Sequence, residues 1–422
     1  MNLLNIEYEK YKLPNGLEVI LHKNNNLPLV AVNIWYKVGS AQERRGKTGL
    51  AHLFEHMMFQ GSANAEKEMH FRLIQEAGGT LNGSTTFDRT NYFEKLPSNQ
   101  LELALWLESD RMGFLLPALT LEKLENQKSV VYNERLEHYE NQPYGLAWEK
   151  LLAALFPKEH PYSWPTIGYL DDIKSYSLED VENFFKTYYA ASNASLVVAG
   201  DFEVNLCKDL IEKYFSEIKG NGLIEHKIFQ PPSLEKNVEI QYEDNVQLER
   251  IYLAWHSDKA YTNEDAALDI IADVLTGSKN SRLYKKLVFD EETAQDVSAM
   301  QISGKFGGFF LIVATAKPGK DIQKIKSDIL AELQNLQDKG ITDRELLKSK
   351  NGIKINFINS LQQIDNLADH LNSYNFYLNE PNSFLFDLSR YENTDSHSIK
   401  TAASKFFSKP FVQLKIIPKI KS

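Results

Sequence analysis

Apolar and polar positions along this chain follow two periods, and the switches between them mark its elements. Tyr11-Lys12-Leu13 leads into the turn triplet Pro14-Asn15-Gly16, and Leu17-Glu18-Val19-Ile20-Leu21 alternates away from it, which predicts a β-hairpin. Val30 to Tyr36 is a second β-rich run, ending near Gly39. A helical stripe then covers roughly Gly49 to Phe59 and stops at Gln60-Gly61-Ser62, and another covers Met69 to Ala77, closed by Gly78-Gly79. Thr80 to Lys95 predicts two strands around Phe87-Asp88-Arg89, and long helices follow over Leu101 to Gly113 and Leu121 to Tyr139. Leu196-Val197-Val198-Ala199-Gly200 reads as a buried strand and Leu206 to Ile218 as a closing helix.

Residues 219–236 are polar, carry Gly220, Gly222 and Pro231-Pro232, and predict a linker. Beyond them the pattern restarts. Val238 to Tyr242 and Ile251 to Trp255 predict strands, Glu264 to Leu275 a helix, and Phe309 to Ala314 a buried strand. Helices fill most of the remainder before a last strand, Gln413 to Ile417. This recurrence predicts an α+β chain of two similar α/β-sandwich domains, each a mostly antiparallel sheet flanked by helices, related by pseudo-duplication. The expected division is 1–218, a linker over 219–236, and 237–422; a chain of 422 residues suits two domains of about 200 each.

The composition, 43% hydrophobic and 25% charged, is that of an ordinary soluble globular protein and predicts no large disordered region. A formal net charge of −10 argues against nucleic acid as the main partner. Cys207 is the only cysteine, which excludes an internal disulfide and a thiolate zinc site. Met1 to Glu7 lacks a basic and then apolar leader pattern, and no apolar run approaches membrane-spanning length. The expectation is therefore a cytoplasmic protein with no membrane partner, or a periplasmic one if a signal was removed before this numbering.

One pentapeptide carries chemistry. His52-Leu53-Phe54-Glu55-His56 puts two imidazoles one helical turn apart with a carboxylate on the same flank. Two histidines at i and i+4 can grip one zinc ion, and Glu55 between them can take a proton from an activated water. H-x-x-E-H is a metallopeptidase order. The plainer reading is a polar seam on an amphipathic helix, and the motif alone weighs about evenly between the two. A catalytic zinc site needs a third protein ligand and an open position. The helix over Leu121 to Tyr139 and its end offer Glu122, Glu125, Glu134, Glu137 and Glu140, and spacing does not choose among them.

With the flanking blocks added, the chain resembles the M16 peptidases, the family of pitrilysin, insulin-degrading enzyme and mitochondrial processing peptidase. His52 to His56 with Met57-Met58-Phe59-Gln60-Gly61-Ser62 is similar to the family's zinc helix, and Gly78 to Gly83 with Thr90-Asn91-Tyr92 to the strand pair beside its active site. Val130-Val131-Tyr132-Asn133-Glu134-Arg135 resembles the helix bearing its third ligand, and the likeness continues through Pro143-Tyr144-Gly145, His160-Pro161-Tyr162 and Ile167-Gly168. The resemblance implies one Zn²⁺ per chain held by His52, His56 and Glu134, with Glu55 as general base and Glu137 as the rival ligand. It implies that Asn82, Gly83 and Ser84 form the edge to which a peptide substrate adds by main-chain hydrogen bonds. Gln127 stands where some members carry a second acidic residue; it and Glu137 are the expected supports around the ligands.

The second half departs from the family's single-chain pattern. A block like Ser281-Arg282-Leu283-Tyr284-Lys285-Lys286-Leu287 there continues into an arginine and a tyrosine that hold the substrate; the matching positions here are Val288 and Gln295. Valine donates nothing and glutamine is uncharged. The chain thus resembles the catalytic subunit of two-component members, which implies a homologous partner lacking the zinc motif and supplying Arg and Tyr, with a homodimer as the alternative. The implied activity is zinc-dependent endopeptidase cleavage of unfolded peptides in a closed chamber. A non-catalytic scaffold or peptide-binding subunit of the same fold is the other reading.

Overall fold

The computed structural model describes Leu4, residues 6–221 and residues 229–419. Part of the expected linker, 222–228, lies outside the described residues, as does most of the extreme N-terminus.

The chain begins with the hairpin β1 (Glu9–Lys12) and β2 (Glu18–Lys23), then β3 (Leu29–Tyr36). Helices α1 (Leu50–Met57) and α2 (Met69–Glu76) precede β4 (Thr80–Thr85) and β5 (Thr90–Pro97). Next come α3 (Leu101–Phe114) and α4 (Leu121–Arg135), which runs into a π-helical turn over Leu136–Glu140. Three shorter helices, α5 (Ala147–Leu155), α6 (Leu170–Ser175) and α7 (Leu178–Tyr188), lead to β6 (Ala194–Gly200) and α8 (Val204–Phe215). The second series is β7 (Val238–Asp244), β8 (Arg250–Ser257), α9 (Asn263–Thr276), β9 (Ala294–Gly304) and β10 (Gly307–Ala316). Five helices follow, α10 (Ile322–Lys339), α11 (Asp343–Ser360), α12 (Ile364–Leu378), α13 (Phe384–Asn393) and α14 (Ser396–Phe407), and β11 (Val412–Pro418) closes it.

The strands form two sheets, in the orders β1-β2-β6-β3-β5-β4 and β7-β11-β8-β10-β9. Setting β1 aside, the two orders are the same: the last strand of each series inserts between its first two. That inserted strand makes the one parallel pairing in each sheet, β6 with β2 and β11 with β7, and every other pairing is antiparallel. Two mixed, mostly antiparallel sheets flanked by helices are thus built on one plan. Central strands carry the apolar sequences. All seven residues of β6 and seven of eight in β3 are buried, whereas β4, Thr-Leu-Asn-Gly-Ser-Thr, is polar because it lies at a sheet edge.

The chain divides into two compact units. One gathers the described residues of Met1–Arg135, Trp164–Lys227 and Phe357–Leu385; the other gathers those of Leu136–Ser163, Ile228–Asn356 and Phe386–Ser422. Each unit therefore takes a segment from the far side of the expected linker. In the first, α12 packs on β3 and β6 and buries Leu367, Ala368, Leu371 and Tyr374. Its polar row also points at the sheet: Asn372 donates to the Asn33 carbonyl at 2.9 Å, and Asn375 donates to Glu18 at 2.8 Å. In the second, α5 packs on β8 and β11 through a buried stripe of Ala147, Leu151, Leu152 and Leu155. No described helix is long and apolar enough to cross a membrane.

Candidate metal centre

The helix of the pentapeptide is held by its apolar face. Leu50, Ala51, Leu53, Phe54 and Met57 of α1 are buried, and Phe54 stacks against Phe184 with ring centroids 5.8 Å apart. The phenol of Tyr92 on β5 donates to the Phe54 carbonyl at 3.0 Å. With that face fixed, His52, Glu55 and His56 emerge on the opposite side.

His52 and His56 lie edge to face, centroids 4.9 Å apart. Helix α4 buries Leu124, Gln127, Val131 and Arg135, one stripe of its surface, and this turns Glu134 toward the two imidazoles. Glu134 Oε1 is 3.6 Å from His52 Nε2, and Glu134 Oε2 is 3.2 Å from His56 Nε2. The three side chains are 13%, 27% and 31% exposed, so the cluster is sheltered but open to a small ligand. Their donor atoms all lie within 4.8 Å of one another, and among the described residues this is the one such set of histidine, cysteine and carboxylate groups.

The donor set fits zinc. Ligand bonds of 2.0–2.2 Å in a tetrahedron place ligand atoms roughly 3.3–3.6 Å apart, close to the separations seen here. Burial holds the His52 imidazole below its usual range, partly offset by the Glu134 carboxylate. Burial thus favours the neutral, ligating form of His52. Two imidazoles and a carboxylate set this close together could hold one metal ion.

Glu55 is fixed from the other side. Thr85 Oγ1 on β4 donates to Glu55 Oε2 at 2.6 Å, and a Cβ on Gly83 would come within 3.2 Å of the Glu55 Cγ. Glycine at 83 is therefore what lets the carboxylate lie against the strand. Asn82 is exposed, its Oδ1 accepting from the Gly83 amide at 2.8 Å, and Ser84 donates to Asn91 Oδ1 at 2.7 Å. β4 pairs only with β5, which leaves its second edge open beside Glu55.

The remaining expected residues fall elsewhere. Glu137 is absent from the metal-type set and belongs to the π-helical turn that follows Arg135. Gln127 is a buried residue of α4, two turns before Glu134. Val288 packs against the apolar core of the second unit, and Gln295 is exposed on β9. Arg282, in the block before Val288, is tied by ion pairs to Glu332 at 2.9 Å and Glu345 at 2.6 Å.

Other contributors escaped the sequence reading. Glu43 accepts from the Gly49 and Ala51 amides, each at 2.8 Å, at the start of α1. Arg135 donates to the Gly168 carbonyl. A signal for the first was available, since α1 starts at Gly49 with no side chain to cap it.

Comparison with known proteins bears on the family and the fold. The family model for Insulinase (Peptidase family M16) matches residues 18–167, and that for the Peptidase M16 inactive domain matches residues 175–353. The chain is 29% identical over 369 residues to the protein named zinc protease PqqE of Helicobacter pylori, covering 86% of this chain and 82% of that one. It is 22% identical over 409 residues to a probable mitochondrial-processing peptidase subunit beta of Arabidopsis thaliana, covering 93% and 75%. A solved structure of a protease from Helicobacter pylori superposes with a TM-score of 0.93 at 26% identity, covering 98% of this chain and all of that one. The fold and its paired units are those of a zinc-protease-like two-sandwich protein. The chain belongs to the M16 peptidase family.

Proposed function

We propose that this protein is a zinc-dependent endopeptidase that cleaves unfolded peptides. The observation that carries the reading is the convergence of His52, His56 and Glu134 with Glu55 on the adjoining turn. His52 and His56 would supply imidazole nitrogens to Zn²⁺, and Glu134 a carboxylate oxygen. When bound, the ion polarises a carbonyl and makes water easier to deprotonate at neutral pH.

The chain's own residues do the rest. Glu55 takes the proton of the attacking water and delivers it to the leaving amine. Thr85, donating to one carboxylate oxygen, fixes the rotamer and leaves the other free for that exchange. The open edge of β4, from Asn82 to Ser84, offers main-chain partners to an extended substrate, which makes side-chain selection loose. Val288 and Gln295 supply neither the charge nor the phenol that the family's single-chain members use, so a homologous subunit contributes those donors. Relatives named as a subunit beta support this arrangement.

Glu55→Gln should keep the fold and one bound zinc while lowering hydrolysis of a quenched fluorescent peptide by about 10²–10⁴-fold. Zinc content is read by atomic emission and turnover by fluorescence. Hydrolysis persisting at the wild-type rate would remove Glu55 as the base, and a wild-type chain that takes up no zinc would remove the peptidase reading.

A further inference from the structure

The first turn of any α-helix presents amide hydrogens that have no partner inside the helix, and a serine, threonine or aspartate usually takes them. Helix α1, which carries three of the residues at the centre, has none of these. Its first flanking residue is Gly49, with φ of +94° and no side chain. Glycine is required there: a Cβ would strike the Ile167 carbonyl and come within 2.8 Å of the Tyr176 hydroxyl.

The cap comes from upstream in the chain. Glu43 spans the start of the helix with both carboxylate oxygens, Oε2 accepting from Gly49 N–H and Oε1 from Ala51 N–H, each at 2.8 Å. The Trp164 indole donates to Oε2 at 3.2 Å and fixes the carboxylate from the other side. Burial raises the Glu43 carboxyl to about 8, while the Ala51 and Gly49 amides and the Trp164 indole pull it back toward the ionised form that suits the positive end of the helix.

The same junction reaches the third ligand. Gly168, at φ +81°, packs its backbone against Thr48 and Gly49, and a Cβ on it would strike the Thr48 carbonyl. Thr48 is pinned by Asp172, which accepts from its amide at 3.0 Å and its hydroxyl at 2.6 Å. Arg135, the neighbour of Glu134, donates to the Gly168 carbonyl. The start of α1 and the Arg135 side chain at the end of α4 thus meet on the Gly168 backbone, which joins the helix of the histidines to the helix of the glutamate.

We propose that Glu43 is a positioning residue for the metal centre: by capping α1 with both oxygens it sets the distance of His52 and His56 from Glu134. The inference rests on the zinc reading above for its metal readout. It also has a readout that does not.

Glu43→Gln keeps the size of the side chain but offers one acceptor oxygen and turns an NH₂ toward the second amide. Ser177→Ala is the control. Ser177 caps α7, a helix that carries none of the three ligands, by accepting from the Asp180 amide at 3.1 Å, so its loss costs a cap on a helix other than α1. Zinc affinity is measured by competition with a chromophoric chelator, and amide exchange over residues 49–56 is followed by mass spectrometry on metal-free protein. Glu43→Gln should weaken zinc binding by about 10–100-fold, the usual effect of removing a group that orients ligands. It should speed exchange over 49–56 by at least about tenfold, while Ser177→Ala leaves both within about twofold.

Turnover at saturating zinc separates positioning from general weakening: kcat falls in Glu43→Gln while KM for the peptide stays within about twofold. Equal effects of the two variants on zinc affinity and exchange would overturn the proposal, as would a Glu43→Gln protein indistinguishable from wild type. A wild-type chain that takes up no zinc would sink the peptidase reading alone, because the exchange comparison still judges the cap.

Discussion

Two half-buried carboxylates show how differently single residues serve this fold. Glu43 accepts two helix amides. Asp269, inside the second unit, accepts only from the Tyr391 hydroxyl at 2.7 Å. Burial is the main cause that raises the Asp269 carboxyl, to about 7. Asp265 and Asp387 add to the rise, and Arg390 and the Tyr391 bond oppose it. In the unfolded chain an aspartate titrates near 3.9. A raised folded-state pKa means the folded protein binds the proton more tightly. Its contribution is full below about pH 4 and is lost as pH rises toward 7. Asp269→Asn should remove this slope, at most about 1.4 kcal/mol per pH unit. Urea unfolding of both proteins at pH 5 and pH 8 measures it, and parallel curves would refute it.

The legibility of the centre also divides at this scale. His52, Glu55 and His56 are readable because helix geometry alone fixes their common face. Glu134 became readable only through family resemblance, since five glutamates shared its stretch of chain. Thr85 and Gly168 were not legible, because each acts across a contact that only the fold creates, and the bare Gly49 at the start of α1 called for a cap without naming Glu43.

At the scale of elements, the strands buried on both faces announced themselves. Val30 to Tyr36 and Phe309 to Ala314 match β3 and β10 closely. β9 went unread because an edge strand with an exposed face, Ala-Gln-Asp-Val-Ser-Ala-Met-Gln, carries a weak apolar signal. The three short helices before β6 went unread as well. Least legible was α12, whose polar residues look solvated in sequence but face the first sheet. Asp369 on that helix accepts from Trp35 Nε1 at 2.9 Å, Asn91 Nδ2 at 3.1 Å and Asn33 Nδ2 at 3.3 Å. Arg89, with its guanidinium 5.0 Å over the Trp35 ring, donates to Asn91 and to the Ser84 carbonyl, each at 2.9 Å. The helix therefore braces the strand pair whose Thr85 donates to Glu55. Asp369→Ala strands three donors and should cost about 1–3 kcal/mol in urea unfolding, whereas Asp369→Asn, which keeps an acceptor, should cost less than half of that. Equal losses from both would show that charge, not hydrogen bonding, holds the helix.

At the scale of the whole molecule, the repeated strand order is the strongest mark of duplication, stronger than any residue match between the halves. Among the described residues, only one copy of the plan bears the metal-type cluster. That asymmetry, with Val288 and Gln295 where donors are wanted, motivates an assay of the zinc-loaded chain alone and with a homologous subunit lacking the motif. Turnover should rise at least about tenfold in the mixture. Full activity from the chain alone would place the missing donors within it and end the two-subunit proposal.

The insertion of each sheet's last strand between its first two bears on how the protein is made. As the chain leaves the ribosome, β2 and β3 emerge early with a strand's width unfilled between them, and nothing can close it until β6 arrives. Even then the face that Leu371, Asn372 and Tyr374 will cover stays bare until α12 is translated. At ordinary synthesis rates that delay is on the order of ten seconds. The first half is thus born with open strand edges and an uncovered apolar face, and nascent chains stalled between β6 and α12 should be the species that chaperones hold.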